Sequence, residues 1–231
     1  MTPAVRLLGL VLLLGVAGCR SSRAPDWTPL FPRDGIPAGW TVRAWDDVAL
    51  PGPTNSLWRV KDGVLTSEGA RGCWLMWERE LRDFDLEFEF KLGPRGNSGL
   101  ALRAPMRGDP AFDGLELQMA DFRYNPEARD SELTGGLYRA VAPAQQVYRP
   151  EEWNHYQVSL VGTRLRAVLN GVLIHDADLS AESNHVLRHN GQPAPPIRDR
   201  PREGHIGFQE LSRDGSHVEI RGARIRIVSP G

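Results

Sequence analysis

The sequence predicts an all-β protein, a two-sheet antiparallel β-sandwich, and three observations support this fold class. Residues 84–92 alternate apolar and charged side chains without interruption, which is the period of a half-buried strand. Asp62-Gly63 and Asn170-Gly171 each separate two strand-like runs, as in tight β-hairpins. The chain has 24 glycines and 18 prolines, and no segment shows a long 3.6-residue apolar repeat, so we expect turns between short strands.

The other predicted elements follow the same signals in chain order. Short alternating runs predict strands at residues 58–61, 64–66, 97–103, 114–121, 156–160, 164–169, 172–174, 204–209, 217–220 and 223–228. Two long polar loops, residues 122–132 and 180–203, interrupt this pattern. Long loops within a compact domain are often functional, so the second is expected to be a lid over one face of a sheet.

Charge and cysteine content exclude several classes of protein. The net charge is -1, from 28 basic and 29 acidic residues that are mixed along the chain, so no basic stripe indicates a nucleic-acid partner. Only two cysteines are present, so no disulfide framework supports the fold. Cys73 is expected to be a half-buried strand thiol rather than a nucleophile, because no histidine-paired thiol motif surrounds it.

Polar residues on three predicted strands are the main candidates for a functional site. In residues 114–121, three apolar side chains alternate with Glu116 and Gln118, so this strand has one apolar and one polar face. Residues 97–103 and 204–209 repeat the pattern, with glycines that leave room for a close approach to the sheet. Stacked in one sheet, the strands would form a common polar surface of Asn97, Arg103, Glu116, Gln118, His205 and Gln209. This mixture of groups suits a polyhydroxylated ligand better than an apolar or phosphorylated one.

Structural interpretations of the same residues stay open. From periodicity alone, Glu116 is expected to be a solvated residue paired with Arg103, and the glutamines are expected to be cross-strand amides. Asp121 is an acid, a metal ligand or the first residue of the following loop. No His-x-His or His-Glu-x-x-His spacing indicates a preformed metal site, so no cofactor is indicated and a divalent metal is left open. Further candidates for an acid or ligand are His185, His189 and His205, and those for stacking on a sugar are Trp74, Trp77, Tyr138 and Trp153.

Residues 1–18 are not expected to belong to the fold. A positive residue precedes an apolar run that is too short to span a bilayer, and small residues lie immediately before Cys19. The segment resembles a bacterial lipoprotein signal, cleaved before Cys19 with lipid attached to its sulfur; an ordinary secretory signal is the alternative. Residues 19–38 contain four prolines and are expected to form a tether. Residues 39–231 would then form the sandwich domain, lipid-anchored at the bacterial cell envelope.

Eight short motifs follow one another between residues 39 and 228. They are Trp58-x-Val60-x-Asp62-Gly63; Asp83-Phe84-x-Leu86-x-Phe88-x-Phe90; Asn97-Ser98-Gly99 with Arg103; Gly114-x-Glu116-x-Gln118-x-x-Asp121; Thr134-Gly135-Gly136-Leu137-Tyr138; Glu152-Trp153-Asn154; Leu169-Asn170-Gly171; and Gly204-His205-Ile206-Gly207-Phe208-Gln209. In this order they resemble the 3-keto-disaccharide hydrolase family, which is related in fold to concanavalin A-like lectins and glucanases. Two segments depart from the family: Glu210-Leu211-Ser212 stands where a histidine and a glycine are common, and Arg221-Gly222-Ala223 replaces Arg-Asn-Ile.

The resemblance implies an enzyme that cleaves glycosides whose 3-hydroxyl has been oxidised to a ketone. The ketone acidifies the hydrogen at C2, a base removes it, the enolate expels the glycosidic oxygen at C1, and water adds to the enone. This route needs one general base rather than the facing carboxylate pair of ordinary glycosidases; direct hydrolysis is the alternative route. The implied catalytic residues are Glu116, Asp121 and Arg103, and the implied substrate-binding residues are Asn97, Gln118, Tyr138, His205 and Gln209. A non-catalytic glycan-binding module is the alternative function, and a structural surface protein is a third.

Overall fold

The computed structural model describes residues 26–229. The predicted signal, the lipidation site Cys19 and residues 19–25 of the predicted tether lie outside these residues and stay predictions. Over residues 26–229, no helix has the length and apolar character needed to cross a membrane.

Two antiparallel sheets contain the thirteen strands found between residues 26 and 229. The strands are β1 (Thr28–Pro29), β2 (Trp40–Ala44), β3 (Ser56–Lys61), β4 (Val64–Gly69), β5 (Cys73–Trp77), β6 (Phe84–Leu92), β7 (Asn97–Ala104), β8 (Leu115–Ala120), β9 (Asn154–Val161), β10 (Arg164–Leu169), β11 (Val172–Asp178), β12 (His205–Glu210) and β13 (Val218–Ile227). The larger sheet has the order β11-β10-β9-β6-β13-β4-β3 with β1 beside β13, and the smaller has the order β2-β5-β12-β7-β8. One short helix, α1 (Pro110–Asp113), precedes β8. The structure confirms the predicted all-β, two-sheet sandwich.

Local signals in the sequence explain the hairpins and the strand faces. In β6 the apolar residues are buried and the charged residues between them are half-buried. Asp62 and Gly63 have φ angles of 53° and 74°, and Asn170 and Gly171 have φ angles of 52° and 83°. Tight two-residue turns require positive φ at both positions, which Asp-Gly and Asn-Gly tolerate best. These turns fix the β3–β4 and β10–β11 registers.

An aromatic core fills the space between the sheets. The Phe88 ring lies 5.3 Å from that of Phe208 on the opposite sheet and 5.6 Å from that of Tyr156. The Tyr156 hydroxyl crosses from the larger sheet and donates a hydrogen bond to the carbonyl oxygen of Gln118 at 3.1 Å. The core therefore fixes the backbone of β8 on its inner face, and the outer face of β8 is left for other contacts.

The packed domain begins earlier than the predicted boundary at residue 39. Thr28 and Pro29 pair with β13, Leu30 lies in the core, and Gly35 bridges to Val60. A two-residue strand has no alternation that a sequence pattern could reveal, and proline is tolerated at such an edge position. Residues 26–38 therefore pack on the sandwich and are not a free tether.

Candidate functional site

The outer face of the smaller sheet forms the floor of a cavity of about 570 Å³, which we call the Glu116 pocket. Asn97 begins β7, Glu116 and Gln118 lie on β8, and Gln209 lies on β12. All four side chains line the pocket and are at most 7% exposed. The structure thus brings together four of the six residues that the sequence places on one polar surface.

Glu116 is a buried carboxyl with an unpaired oxygen. Its side chain is 2% exposed, and Oε1 accepts no hydrogen bond. Burial, reinforced by the negative charge of Asp109, raises the pKa of Glu116 well above its ordinary value. A buried carboxyl with a raised pKa and a free oxygen is suited to exchange a proton with a ligand.

Gly99 provides the space that the Glu116 carboxyl occupies. It lies on β7 opposite Gln118, and a Cβ atom at this position would lie 1.8 Å from Glu116 Oε1. Any larger residue would therefore displace the carboxyl. The sequence predicts that glycine admits a close approach to the sheet, and the group that approaches Gly99 is Glu116 itself.

Amide groups surround the carboxyl. Asn97 Oδ1 is buried and accepts no hydrogen bond. Gln118 Oε1 accepts a hydrogen bond from the backbone N–H of Met119 at 2.9 Å, which fixes the amide and leaves Nε2 as its ligand-facing donor. The Gln209 amide adds a third such group to the pocket wall. Together these amides offer donors and acceptors that match sugar hydroxyls.

Residues 134–141 place Tyr138 beside Glu116. The N–H of Tyr138 donates to the Glu116 carbonyl oxygen at 2.9 Å, and the N–H of Gln118 donates to the Gly136 carbonyl oxygen at 2.9 Å. This segment thereby covers the free edge of β8 and turns Tyr138 into the pocket wall. Burial, followed by the negative charge of Glu116, raises the pKa of Tyr138 well above its ordinary value. The phenol therefore keeps its proton and serves as a hydrogen-bond donor.

The long loop of residues 180–203 supplies His189 to the rim of the pocket. The centroid of the His189 ring lies 5.2 Å from that of the Phe112 ring and 5.4 Å from that of the Trp45 ring. Next to it, Arg188 donates two hydrogen bonds to the Asp113 carboxylate, one at 2.8 Å, and so ties the loop to α1. Burial lowers the pKa of His189, and Arg139 adds to this effect. The imidazole is thus neutral near neutral pH.

Arg103 does not share the polar face with Glu116, so that prediction is wrong. Between two paired positions, β7 advances three residues, from Ala101 to Ala104, while β12 advances two. This extra residue is a β-bulge, and Arg103 takes a φ of 49° there. Its side chain, 1% exposed, turns away and pairs with Asp83 at 2.9 Å. The strict alternation assumed from the sequence fails at the bulge.

His205 is displaced by the same bulge. Its Nδ1 lies 2.9 Å from the carbonyl oxygen of Trp77, and it is not among the residues that line the Glu116 pocket. The expectation that His205 lies on the common polar surface is therefore also wrong.

Asp121 lines the pocket but is already paired. It is 0% exposed and accepts hydrogen bonds from Arg123 Nε at 2.7 Å and from the Tyr148 hydroxyl at 3.1 Å. Burial alone would raise the pKa of Asp121, but the hydrogen bonds from Arg123 and Tyr148 outweigh it and lower the pKa. A fixed, ionised carboxylate favours the structural interpretation of Asp121, and its predicted catalytic role stays untested.

Of the four aromatic candidates for sugar stacking, Tyr138 lines the pocket. Trp74 is buried and donates from Nε1 to the Trp45 carbonyl oxygen. Trp77 stacks on Trp40, and Trp153 lies against Arg221 of the larger sheet. For a metal, residues 26–229 contain no group of three or more His, Cys, Asp or Glu side chains that could hold an ion.

Asp109 is a residue near the site that the sequence patterns did not reveal as functional. It is 7% exposed and caps α1 by accepting a hydrogen bond from the Ala111 N–H at 3.0 Å. Burial raises its pKa to about 7, and the negative charge of Asp113 contributes further. The signal in the sequence is Asp109-Pro110, since Asp before Pro marks a helix start, but a single-turn helix has no apolar repeat to reinforce it.

Comparisons with known proteins agree with this architecture. A family model of the 3-keto-alpha-glucoside-1,2-lyase-like domain matches residues 26–226. A candidate glycosyl hydrolase from Parabacteroides distasonis superposes with a TM-score of 0.69 at 24% identity, over 88% of this chain and 100% of that chain. LamAcat from Zobellia galactanivorans superposes with a TM-score of 0.51 at 10% identity, over 89% and 98% of the two chains. At these identities the structural likeness establishes the fold alone. No curated protein matches this chain in sequence.

Proposed function

The chain belongs to the family of 3-keto-alpha-glucoside-1,2-lyase-like domains, and from this premise we propose that it cleaves 3-keto-glycosides in the Glu116 pocket. The observation that carries the proposal is the Glu116 carboxyl: it is buried and its Oε1 is unpaired. Leaving a buried polar group without a partner costs about 1–3 kcal/mol. A ligand whose C–H or O–H group approaches this oxygen would supply the missing partner, which explains why the oxygen is left unpaired in the free protein.

Glu116 is assigned as the general base. In its ionised form it takes the C2 proton, whose acidity comes from the neighbouring C3 ketone. The electrons of the C2–H bond form the enolate; the enolate then restores the ketone, forms the C1–C2 double bond and breaks the bond from C1 to the glycosidic oxygen. The leaving oxygen takes up a proton, and hydration of the enone completes the cleavage. One base therefore suffices, in contrast to the two carboxylates of ordinary glycosidases.

Neutral hydrogen-bond donors assist the base. The Gln209 amide can donate to the ketone oxygen as negative charge develops on it, and Gln118 Nε2 can donate to a sugar hydroxyl. The Tyr138 phenol stays protonated and can donate to the leaving oxygen. Asn97 Oδ1, which is buried without a partner, can accept a hydrogen bond from a sugar hydroxyl and orient the ring.

The test compares an ordinary disaccharide with its 3-keto counterpart on purified protein. We expect release of free sugar from the 3-keto compound alone, because the C2 hydrogen is acidic only beside the ketone. Deuterium at C2 should slow the reaction if proton removal limits the rate, and direct hydrolysis should show no such effect. Equal cleavage of both disaccharides would contradict the proposal. Binding of both without cleavage would instead favour a glycan-binding module.

A further inference from the structure

Two guanidinium groups without an acidic partner lie at one end of the Glu116 pocket. Arg71 precedes β5, Arg213 follows β12 and Tyr124 follows β8. The start of β5 and the ends of β8 and β12 meet at one edge of the smaller sheet because neighbouring strands in it are antiparallel. All three side chains line the same pocket as Glu116, at the end of β8 opposite to α1.

Tyr124 holds both guanidiniums in place. Arg71 Nη2 donates a hydrogen bond to the Tyr124 hydroxyl at 3.0 Å. The Arg213 guanidinium lies over the Tyr124 ring, with Cζ 4.3 Å from the centroid, which is within the range of a cation–π contact. Each arginine keeps several N–H donors that no described residue uses. Tyr124 thus positions both guanidinium groups, and most of their N–H donors are free to bind a ligand.

Apart from Glu116, the other charged groups that line the pocket have partners close by. Arg139 pairs with Glu132 at 2.8 Å, and Asp121 pairs with Arg123 at 2.7 Å. Within residues 26–229, the side-chain contacts of Arg71 and Arg213 are those with Tyr124, and neither guanidinium has a carboxylate within salt-bridge distance. The pocket therefore carries two uncompensated positive charges at its open end, in a protein whose net charge is -1.

This arrangement complements an oxyanion. Guanidinium groups bind carboxylate and sulfate-like groups through paired, charge-assisted hydrogen bonds. We place C2 of the sugar at the buried Glu116 and direct the leaving group on the adjacent C1 along the pocket, toward the end that Arg71 and Arg213 line. On the basis of the proposed function, we infer that Arg71, Tyr124 and Arg213 form a subsite for an oxyanion carried by the leaving group of the 3-keto-glycoside.

The experiment measures binding separately from turnover. Ordinary glucosides of 4-hydroxybenzoate, 4-hydroxybenzenesulfonate and the neutral 4-hydroxybenzamide lack the ketone, so they report affinity alone by calorimetry. The variants are Arg71→Gln with Arg213→Gln, and as a matched control Arg59→Gln, which removes an exposed arginine from β3 on the other sheet. We expect one or both anions to bind wild type about tenfold more tightly than the amide, with the preference declining as salt is added.

Loss of that preference in the double variant, and its retention in Arg59→Gln, would support the subsite. The relative affinities of the carboxylate and sulfonate glucosides identify the preferred oxyanion. Equal affinity for all three glucosides, no measurable binding of either anion, or a preference that survives the double variant would overturn it. The corresponding 3-keto-glucosides test the function separately. If no 3-keto-glucoside is cleaved while the preference for anions holds, the proposed reaction is wrong and the subsite is supported. If the 3-keto-glucosides are cleaved but no preference for anions is found, the reaction is supported and the subsite is wrong.

Discussion

Two clusters of buried polar residues flank the bulge in β7. They differ in how many of their polar atoms form hydrogen bonds. In the first, the Arg103 cluster, Arg103 donates to the carbonyl oxygens of Arg82 and Gly162 at 2.6 and 2.8 Å and to Asp83 Oδ1 at 2.9 Å. In the second, the Glu116 pocket, Glu116 Oε1 and Asn97 Oδ1 are buried and accept no hydrogen bond.

The difference separates a structural role from a binding role. Most buried polar groups in native proteins are paired, because an unpaired one costs free energy of folding. The Arg103 cluster follows this rule and connects the smaller sheet to the ends of β6 and β9. The Glu116 pocket departs from it, and the departure has a physical purpose if a ligand supplies the missing partners.

Arg103→Met tests the structural side of this comparison and has the largest expected effect on stability. It leaves Asp83 as a buried charge without its partner, so the free energy of unfolding should fall by about 3–5 kcal/mol. Denaturant titration measures the loss. The control is the double variant Arg103→Met with Asp83→Leu, which should recover much of the stability. A folded but inactive Arg103→Met protein would instead give Arg103 the catalytic role that the sequence suggests.

Gly99→Ala tests the geometry of the pocket. The added Cβ would lie 1.8 Å from Glu116 Oε1, so the carboxyl must move, and misplacing a catalytic group by about 1 Å can cost roughly 10²-fold in rate. Turnover of a 3-keto-disaccharide should fall to that degree while the protein stays folded. Combined with Glu116→Gln, the glycine substitution should cost little more, since both act on the same group. Additive losses would show that Gly99 acts independently of Glu116.

Gln118→Ala tests ligand recognition. Losing one hydrogen bond to a sugar hydroxyl costs about 0.5–1.5 kcal/mol, so substrate affinity should weaken by roughly threefold to tenfold, with a smaller effect on turnover. Calorimetry and steady-state kinetics separate the two quantities. Gln157→Ala, at an exposed position of β9, is the matched control and should change neither. A selective loss of turnover in Gln118→Ala would assign the amide to the reaction itself.

Asp109→Asn has the smallest expected effect, a shift in the pH dependence. Asparagine keeps the helix cap but removes the negative charge that adds to the raised pKa of Glu116. The pKa of Glu116 should therefore move down, and the acid limb of the pH–rate profile should move to lower pH. An unchanged limb, or one moved to higher pH, would show that Asp109 does not act on Glu116.

Local patterns predict much of this molecule. Alternation predicts β6 with its correct bounds, and the two turn dipeptides predict hairpins that the structure confirms. The same alternation places Glu116 and Gln118 on one polar face. The prediction fails at Arg103, because a bulge inserts one residue into β7 and turns the Arg103 side chain to the other face of the sheet. No residue type in β7 indicates this insertion.

Features formed by distant segments could not be predicted in this way. The pairing of β1 with β13 joins residues about 200 positions apart. The hydrogen bond from the Tyr148 hydroxyl to Asp121 also joins segments that are apart in the chain, so the sequence could not show that Asp121 is already paired. The raised pKa of Glu116 likewise depends on burial by elements that pack together only in the folded chain.

Glu116→Gln provides the most direct test, with turnover and the free energy of unfolding measured on the same preparation. The variant should lose about 10²–10⁴-fold in turnover of a 3-keto-glycoside. Because the pKa of Glu116 is raised on folding, its ionisation destabilises the folded state as pH rises; at pH 8 the variant should therefore be at least as stable as wild type. Wild-type turnover in Glu116→Gln, or a loss of stability as large as that of Arg103→Met, would contradict the assignment of Glu116 as an unpaired general base.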